Sequence, residues 1–341
     1  MLMLRTARRR WSRELPSLID GIALSSGGPV IVHGYDQPAG GKWIDSVIPG
    51  RLLALDRTSG EIRWNSPCEV GYGRGFGAGF GSDKEVVVLG PGQQGHRVVR
   101  MNLENGELVA AREIGAFDEA RVDPDLCICI SPRRLTALHT SKLGEAWNFG
   151  ASGERYHGIS RDGERLWVVY KNERLGRQGV LCLEASSGEP IGRLLEPRQR
   201  SVLALTAEAG IVAMVVSNIE AAIPPDALQK NGLPNAAGVR VKQGPALLVL
   251  ASRGAGVERP LWFSALDGEL EDDYPDVGLR VDSGKLYVAR GATLQVRDLV
   301  SGRPLGQQTI PGLDEHVAWT VSQGAFLLAE ETRISIFEVP D

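Results

Sequence analysis

One phrase returns along this chain and restricts what it can fold into. Residues Leu52 to Trp64 read LLALDRTSGEIRW. The phrase comes back as VVRMNLENGELVA (Val98 to Ala110), LTALHTSKLGEAW (Leu135 to Trp147), VLCLEASSGEPIG (Val180 to Gly192) and TLQVRDLVSGRPLG (Thr293 to Gly306). A looser copy is LLVLASRGAGVERPLW (Leu247 to Trp262), and a truncated one, RISIFEVPD, closes the sequence. Each copy is an apolar, β-prone run, an acidic or polar residue, a short polar stretch, a glycine and a second short run. That order is a β-hairpin signature, with glycine supplying the positive φ of a turn and bulge. Asp56, Asn102 and Asp298 precede the turn, where a short polar side chain can bond the turn's own amides. The repeat glycines are Gly60, Gly106, Gly144, Gly188, Gly256 and Gly302. A recurrence of about 45 residues with strand-only content is the period of a four-stranded propeller blade.

The residues between copies agree. Two further strand candidates precede each hairpin, such as Ile22–Ser25 with Pro29–Gly34 and Gly278–Asp282 with Lys285–Arg290. Sustained 3.6-residue periodicity is almost absent, so long helices are not expected. The phrase A-L-D-x-x-[ST]-G-x-x-x-W, carried best by Asp56, Gly60 and Trp64, resembles the repeat of the pyrroloquinoline-quinone-like propellers. Trp147 and Trp262 keep a tryptophan near the same place, whereas Ala110, Gly192 and Gly306 occupy it elsewhere. The resemblance implies an all-β, seven-bladed β-propeller of four-stranded antiparallel blades. It implies little about activity, because such propellers are dehydrogenases, assembly factors and scaffolds alike.

Six internal hairpins and the terminal RISIFEVPD make seven units, the last without its outermost strand. Arg8–Pro16 has no blade of its own, and its Trp11 resembles the outer-strand tryptophan of the repeats. It is expected to pair with Ile334–Val339 and close the ring, which removes long exposed edges. The expected organisation is one propeller domain over residues 1–341, with residues 1–16 as the closing segment and residues 217–244 as a long insertion in the fifth blade.

Composition narrows the function. The formal net charge is −4 and the pI about 5.9, which favours neither a nucleic-acid nor a membrane-surface role. Arg5, Arg8, Arg9, Arg10 and Arg13 form a local basic run, read as a solvated edge strand. The start MLMLRTARRRW lacks the apolar stretch of a signal peptide, and no run approaches transmembrane length. Cys68, Cys127, Cys129 and Cys182 show no framework spacing. A cytoplasmic, reduced protein is expected.

Propeller geometry puts the connections between blades, and the loops joining middle strands, on one face. The long segments fall there: Tyr35–Gly50, Gly90–His96, Lys171–Gly179 and Ser217–Gly244, the last with a short helix expected across Asp226–Lys230. Long loops on a rigid scaffold are where binding resides. The starts of the innermost strands line the funnel on that face: Asp20, Arg74, Arg121, His157, Arg200, Asp276 and His316. Tyr72, Glu119, Arg155, Tyr156, Asp314 and Glu315 neighbour them. Within Gly71–Gly81 (GYGRGFGAGFG), glycine takes every second position, so an extended strand puts Tyr72, Arg74, Phe76 and Phe80 on the other face. Tight packing near the axis is the expected cause.

A protein-interaction scaffold is the leading expectation, with a protein partner on the decorated face. Tyr35, Trp43, Tyr72 and Tyr156 are the expected exposed anchors, beside Arg74, Arg121, Arg155, Arg200 and Asp276. The alternative is a lyase or hydrolase, or a small-ligand or metal-binding protein, using the funnel. In it His157 or His316 serves as base, with Glu154 near the former and Asp314 and Glu315 near the latter. The acidic stretch Asp267–Asp276 lacks the order of an EF-hand. Only Trp319 among the tryptophans maps to the funnel, so no cofactor, pyrroloquinoline quinone included, is expected.

Overall fold

A computed structural model of the chain describes residues 5–24, 27–36, 48–72, 75–92, 95–194, 201–217, 245–253, 257–266, 277–315 and 317–339. They form seven sheets of four consecutive antiparallel strands, the blades of a seven-bladed β-propeller; a two-residue strand, Arg5–Thr6, extends the edge of the sixth. The chain divides into two compact units.

The first unit holds Thr6–Asn148 with Pro311–Asp341. Its first blade is Leu18–Leu24, Val30–Tyr35, Gly50–Leu55 and Ile62–Cys68. The second is Gly77–Ser82, Glu85–Gly92, Gly95–Asn102 and Leu108–Ile114. The third runs through Glu119–Val122, Leu126–Ser131, Arg134–His139 and Glu145–Phe149. Ala318–Ser322, Ala325–Ala329 and Arg333–Glu338 begin the seventh, and Arg9–Glu14 completes it, with Trp11 opposite Ile336 and Glu14 opposite Arg333. Arg333 Nε donates to Glu14 Oε1 at 2.6 Å, and the Arg9 guanidinium lies 5.3 Å from the Phe337 ring centroid. The expected closing strand is therefore present.

The other unit holds Phe149–Ile310 and carries the fourth, fifth and sixth blades. Their innermost strands are Glu154–Asp162, Val202–Glu208 and Val277–Asp282.

The second strands Val30–Tyr35, Glu85–Gly92 and Ile211–Val216 have apolar neighbours on both faces, which is why they read as largely apolar runs. Val30–Tyr35 is buried throughout. Between the first two blades, Ile31, Leu52 and Ala54 meet Val86, Val88, Val99 and Met101. Val212, Met214, Leu248 and Leu250 of the fifth blade meet Trp167, Val169 and Val180 of the fourth. Each such aliphatic side chain contributes about 1.5–3 kcal/mol by leaving water.

The repeat phrase builds one turn over and over. Gly60 N donates to Asp56 O, and Asp56 N to Glu61 O. The Asp56 carboxylate accepts the amides of Thr58 and Ser59 at 2.9 and 3.0 Å. Asn102 and Asp298 do the same for their own turns. Arg63, bonded to Asp56 Oδ2 at 2.5 Å, and then these amides hold the Asp56 carboxyl well below the usual carboxylate range.

The turn glycines carry a second duty. A Cβ on Gly60 would lie 2.7 Å from the Trp11 ring, on Gly106 2.6 Å from the Trp64 ring, and on Gly302 2.5 Å from the Trp262 ring. Each indole caps the turn of the next blade, and its Nε1 donates to a carbonyl there: Trp11 to Arg57, Trp64 to Leu103 and Trp262 to Leu299. Where Ala110 replaces the tryptophan, Arg112, two residues on and on the same strand face, donates to Leu143 O at 2.7 Å.

The third blade departs from the expected glycine. Leu143, not Gly144, takes the turn position, with φ at +54°, and its N donates to His139 O. The apolar pocket that buries the Leu143 side chain outweighs the local preference for glycine. Gly256 lies outside the described residues. Gly71–Gly81 is also not one strand: pairing starts at Gly77, and Gly75 has φ at +83°. From Gly77 on, the tight packing is real, since a Cβ on Gly77 would meet Ala120, and one on Gly79 would meet Val122, each at 2.7 Å. No helix among the described residues is long and apolar enough to cross a membrane.

Candidate functional site

A group of polar and aromatic side chains lies at the end of the first blade. His33 and Tyr35 alternate on the second strand and so share a face. The segment before the second blade lies on that face. Phe76 stacks on His33 at 4.5 Å between centroids, and Tyr72 packs against Tyr35 at 4.3 Å. His33 Nε2 donates to Val70 O at 3.0 Å. Gly21 and Gly50 make room for this: a Cβ on Gly21 would strike the Phe76 ring, and one on Gly50 would strike Val70 O. Asp20 bulges from the innermost strand between Ile19 and Gly21, and its Oδ2 lies 3.5 Å from His33 Nδ1. Burial, then the neighbouring Tyr72, Asp20 and Glu331, pushes the Tyr35 hydroxyl up to about 12.

Tyr35 is 8% exposed, which corrects the expectation of an exposed anchor. Its ring faces the next blade's segment and serves as the seat for Tyr72, which is 43% exposed. Arg121 Nε donates to Asp123 Oδ1 at 2.9 Å, just past the end of its own strand. Trp43 and Arg74 lie outside the described residues.

In the fourth blade Tyr156 is 4% exposed, again against expectation. Its hydroxyl accepts Ala151 N at 2.9 Å and donates to Glu154 Oε2 at 3.1 Å. Burial foremost pushes that hydroxyl up to about 12. Glu154 Oε1 is 2.7 Å from Arg193 Nη1, and the guanidinium lies 4.5 Å from the Tyr170 centroid. Glu154 therefore belongs to a structural network and does not partner His157, because strand alternation puts residues 154 and 156 on one face and 157 on the other. Burial lowers the His157 pKa, opposed by its bond to the Val202 backbone. Arg155 pairs with Glu173 across the hairpin. Arg200, Asp276 and His316 lie outside the described residues, as does the Glu315 side chain.

Two expected loops are extensions of hairpins. Lys171–Gly179 stays paired from Lys171 opposite Gln178 to Asn172 opposite Arg177, and Asn172 Oδ1 caps the tip by accepting Arg174 N and Leu175 N. Gly90–His96 stays paired to Gly92 opposite Gly95. Residues 218–244, with the expected short helix, and the acidic stretch Asp267–Asp276 lie outside the described residues, as does most of Tyr35–Gly50. Among the described residues, no group of three or more His, Cys, Asp or Glu is placed to hold a metal ion.

The chain is similar to the crystal structure of BamB from Moraxella catarrhalis, with a TM-score of 0.51 at 12% identity, over 94% of this chain and 85% of that one. At that identity the likeness is one of fold. No family model matches the sequence, and no curated protein matches it. The Tyr35–Tyr72 platform was only half legible in the sequence. Alternation marked Tyr72 and Phe76 as a pair, but nothing local showed that His33 and Tyr35 would receive them.

Proposed function

We propose that the protein is a non-enzymatic interaction module of the pyrroloquinoline-quinone-like propeller type, working in the cytoplasm without a cofactor. It presents the face of inter-blade segments and middle-strand hairpins to a protein partner. The observation that carries this reading is Tyr72, an exposed aromatic fixed in place by the buried ring of Tyr35. A pre-positioned aromatic contributes contact area at little entropic cost, and such residues dominate interface energetics.

Intact-complex mass spectrometry of the untagged protein, purified from its native cells, tests the reading. The expected result is a stoichiometric protein partner that is lost from a Tyr72→Ala variant of unchanged melting temperature. A bare chain, or a partner retained by the variant, counts against it.

A further inference from the structure

The outermost strands of the blades differ in what they allow to join them. A sheet edge presents unpaired N–H and C=O groups, and proteins blunt it with proline, charge, brevity or a cover. The outermost strand of the first blade carries Pro67, that of the fourth Pro190 and that of the fifth Pro260. The third blade ends in only five residues, Glu145–Phe149. Arg5–Thr6 covers the sixth, and four of the six residues of Arg9–Glu14 on the seventh are charged. Leu108–Ile114, the edge of the second blade, has neither proline nor cover among the described residues. It reads LVAAREI, with five apolar residues of seven. Leu108 is 52% exposed and Val109 45%.

The ladder fixes which backbone groups of this strand point outward. Asn102 N donates to Glu107 O, toward the outermost strand, and Leu103 N donates to Lys84 O, the other way. Antiparallel alternation then turns Arg100 and Val98 toward their partners Ala110 and Arg112, so Ala111 and Glu113 present N–H and C=O outward. Arg97, opposite Glu113, is held by Glu69 at 2.9 Å, which leaves Glu113 outside any ion pair among the described residues. A cleft of about 280 Å³ opens beside Glu113, walled by Thr136, Leu138 and Glu145 of the third blade. The guanidinium at this cleft, Arg112, spends its Nη1 on Leu143 O.

We propose that Leu108–Ile114 is a docking edge for an extended segment of a protein partner, which pairs antiparallel to it as a fifth strand and sets a lysine or arginine opposite Glu113. An open backbone ladder selects an extended chain, and side chains at alternate positions select its sequence. The carboxylates of Glu113 and Glu145 at one cleft call for a cation there. The exposed Leu108 and Val109 call for aliphatic residues at the other end. The sixth blade already carries a fifth strand, Arg5–Thr6, on the corresponding edge. A second copy of this strand fits poorly. A two-fold axis through Ala111 sets Glu113 against Val109, and one through Arg112 or Glu113 sets like charges against each other. This edge is distinct from the Tyr72 face and does not depend on it.

The probes are three capped heptapeptides: Thr-Lys-Thr-Val-Thr-Val-Thr, the same with glutamate for lysine, and the first with proline for its central valine. Each is titrated into the full chain with nitrogen-labelled alanine and followed by NMR at Ala110 and Ala111. The expected result is a saturable shift with the lysine peptide, in the millimolar range, and none with the proline peptide. The glutamate peptide binds about threefold more weakly, the size of one cross-strand charge pair. Glu113→Lys, an exposed change, reverses the order of the lysine and glutamate peptides. Ala111→Pro removes an N–H that points outward, so it keeps the ladder to the third strand and abolishes the shift at Ala110. Where that variant fails to fold, the charge reversal decides. Silent alanines, equal binding of the proline peptide, or an unchanged lysine preference in Glu113→Lys overturn the proposal. So does a dimer of the free chain, seen by ultracentrifugation, that Ala111→Pro dissociates, because the edge then belongs to a second copy.

Discussion

The Glu208 carboxylate accepts the amide of Gly284 at 2.9 Å, from the innermost hairpin of the next blade, and its other oxygen accepts Ser283 N at 3.1 Å. Ser283 has φ at +55° and Gly284 at +73°, so both amides of a tight turn point outward to this one side chain. Asp162 makes the same clasp one blade earlier, on Ala209 and Gly210. Removal of Glu208 as Glu208→Ala should cost about 1 kcal/mol, the worth of partly exposed charge-assisted bonds. Glu208→Gln keeps one acceptor and should cost less. Calorimetry of the three proteins checks the order.

Gly302 sits in the left-handed region with the Trp262 ring 2.5 Å from where a Cβ would stand. Gly302→Ala therefore meets both backbone strain and a displaced indole, and should lose about 3 kcal/mol. Gly284→Ala, with a similar φ and open space around it, isolates the backbone part and should lose about 1 kcal/mol. Urea unfolding of the pair separates the two terms.

Leu143 holds a conformation that suits glycine, yet its side chain is buried in the core. Leu143→Gly relieves about 1 kcal/mol of strain and removes about 3 kcal/mol of packing, so a net loss of about 2 kcal/mol is expected. A stabilised variant would show that the side chain adds nothing to that core.

All four cysteines are buried and none is in a disulfide. Burial pushes Cys68 up to about 11 and Cys129 up to about 12, and raises Cys127 strongly. A disulfide reagent at pH 8 should label none of them in the folded protein, because the thiolate is the reactive form. All four should react after denaturation. Rapid labelling of the native protein would place a cysteine at the surface.

Asp56 and Asp298 have depressed pKa values, through Arg63 and Ser301 first and then the turn amides. For a depressed carboxylate the stabilisation is present above its ordinary value, near 4, and is lost as pH falls through the folded value. Stability should therefore be flat from neutral pH to about 5 and decline below about 4. Asp56→Asn should reduce that acid-side decline, while lowering stability at pH 7. Melting temperatures from pH 7 to pH 2 give both readings.

Architecture was legible in the sequence where it is repeated and local. The Asp56, Asn102 and Asp298 turns follow from residue chemistry alone, and Trp11 declared its role by likeness to Trp64. What the repeat does not encode was missed. The one-residue slip from Gly144 to Leu143 depends on a pocket built by other strands. Glu208 and Asp162 clasp turns of neighbouring blades, so no local pattern announces them. Tyr35 and Tyr156 read as surface residues because their positions at strand ends are polar on average, while their rings find partners only after the blades assemble. At the funnel, the alternation within Glu154–His157 already forbade a His157–Glu154 pair.

The last blade draws its outermost strand from the other end of the chain, Arg9–Glu14 against Arg333–Glu338. During synthesis that strand emerges early and stays without its ladder partner until Arg333 and the residues after it have been made. For all that interval it is an open template for any other β-strand nearby. Arg9, Arg10 and Arg13, which in the finished protein pack on Phe337, pair with Glu338 and bond the Gly60 carbonyl, are like charges that discourage two such nascent segments from pairing with each other. The same arginines that finish the fold guard its longest wait.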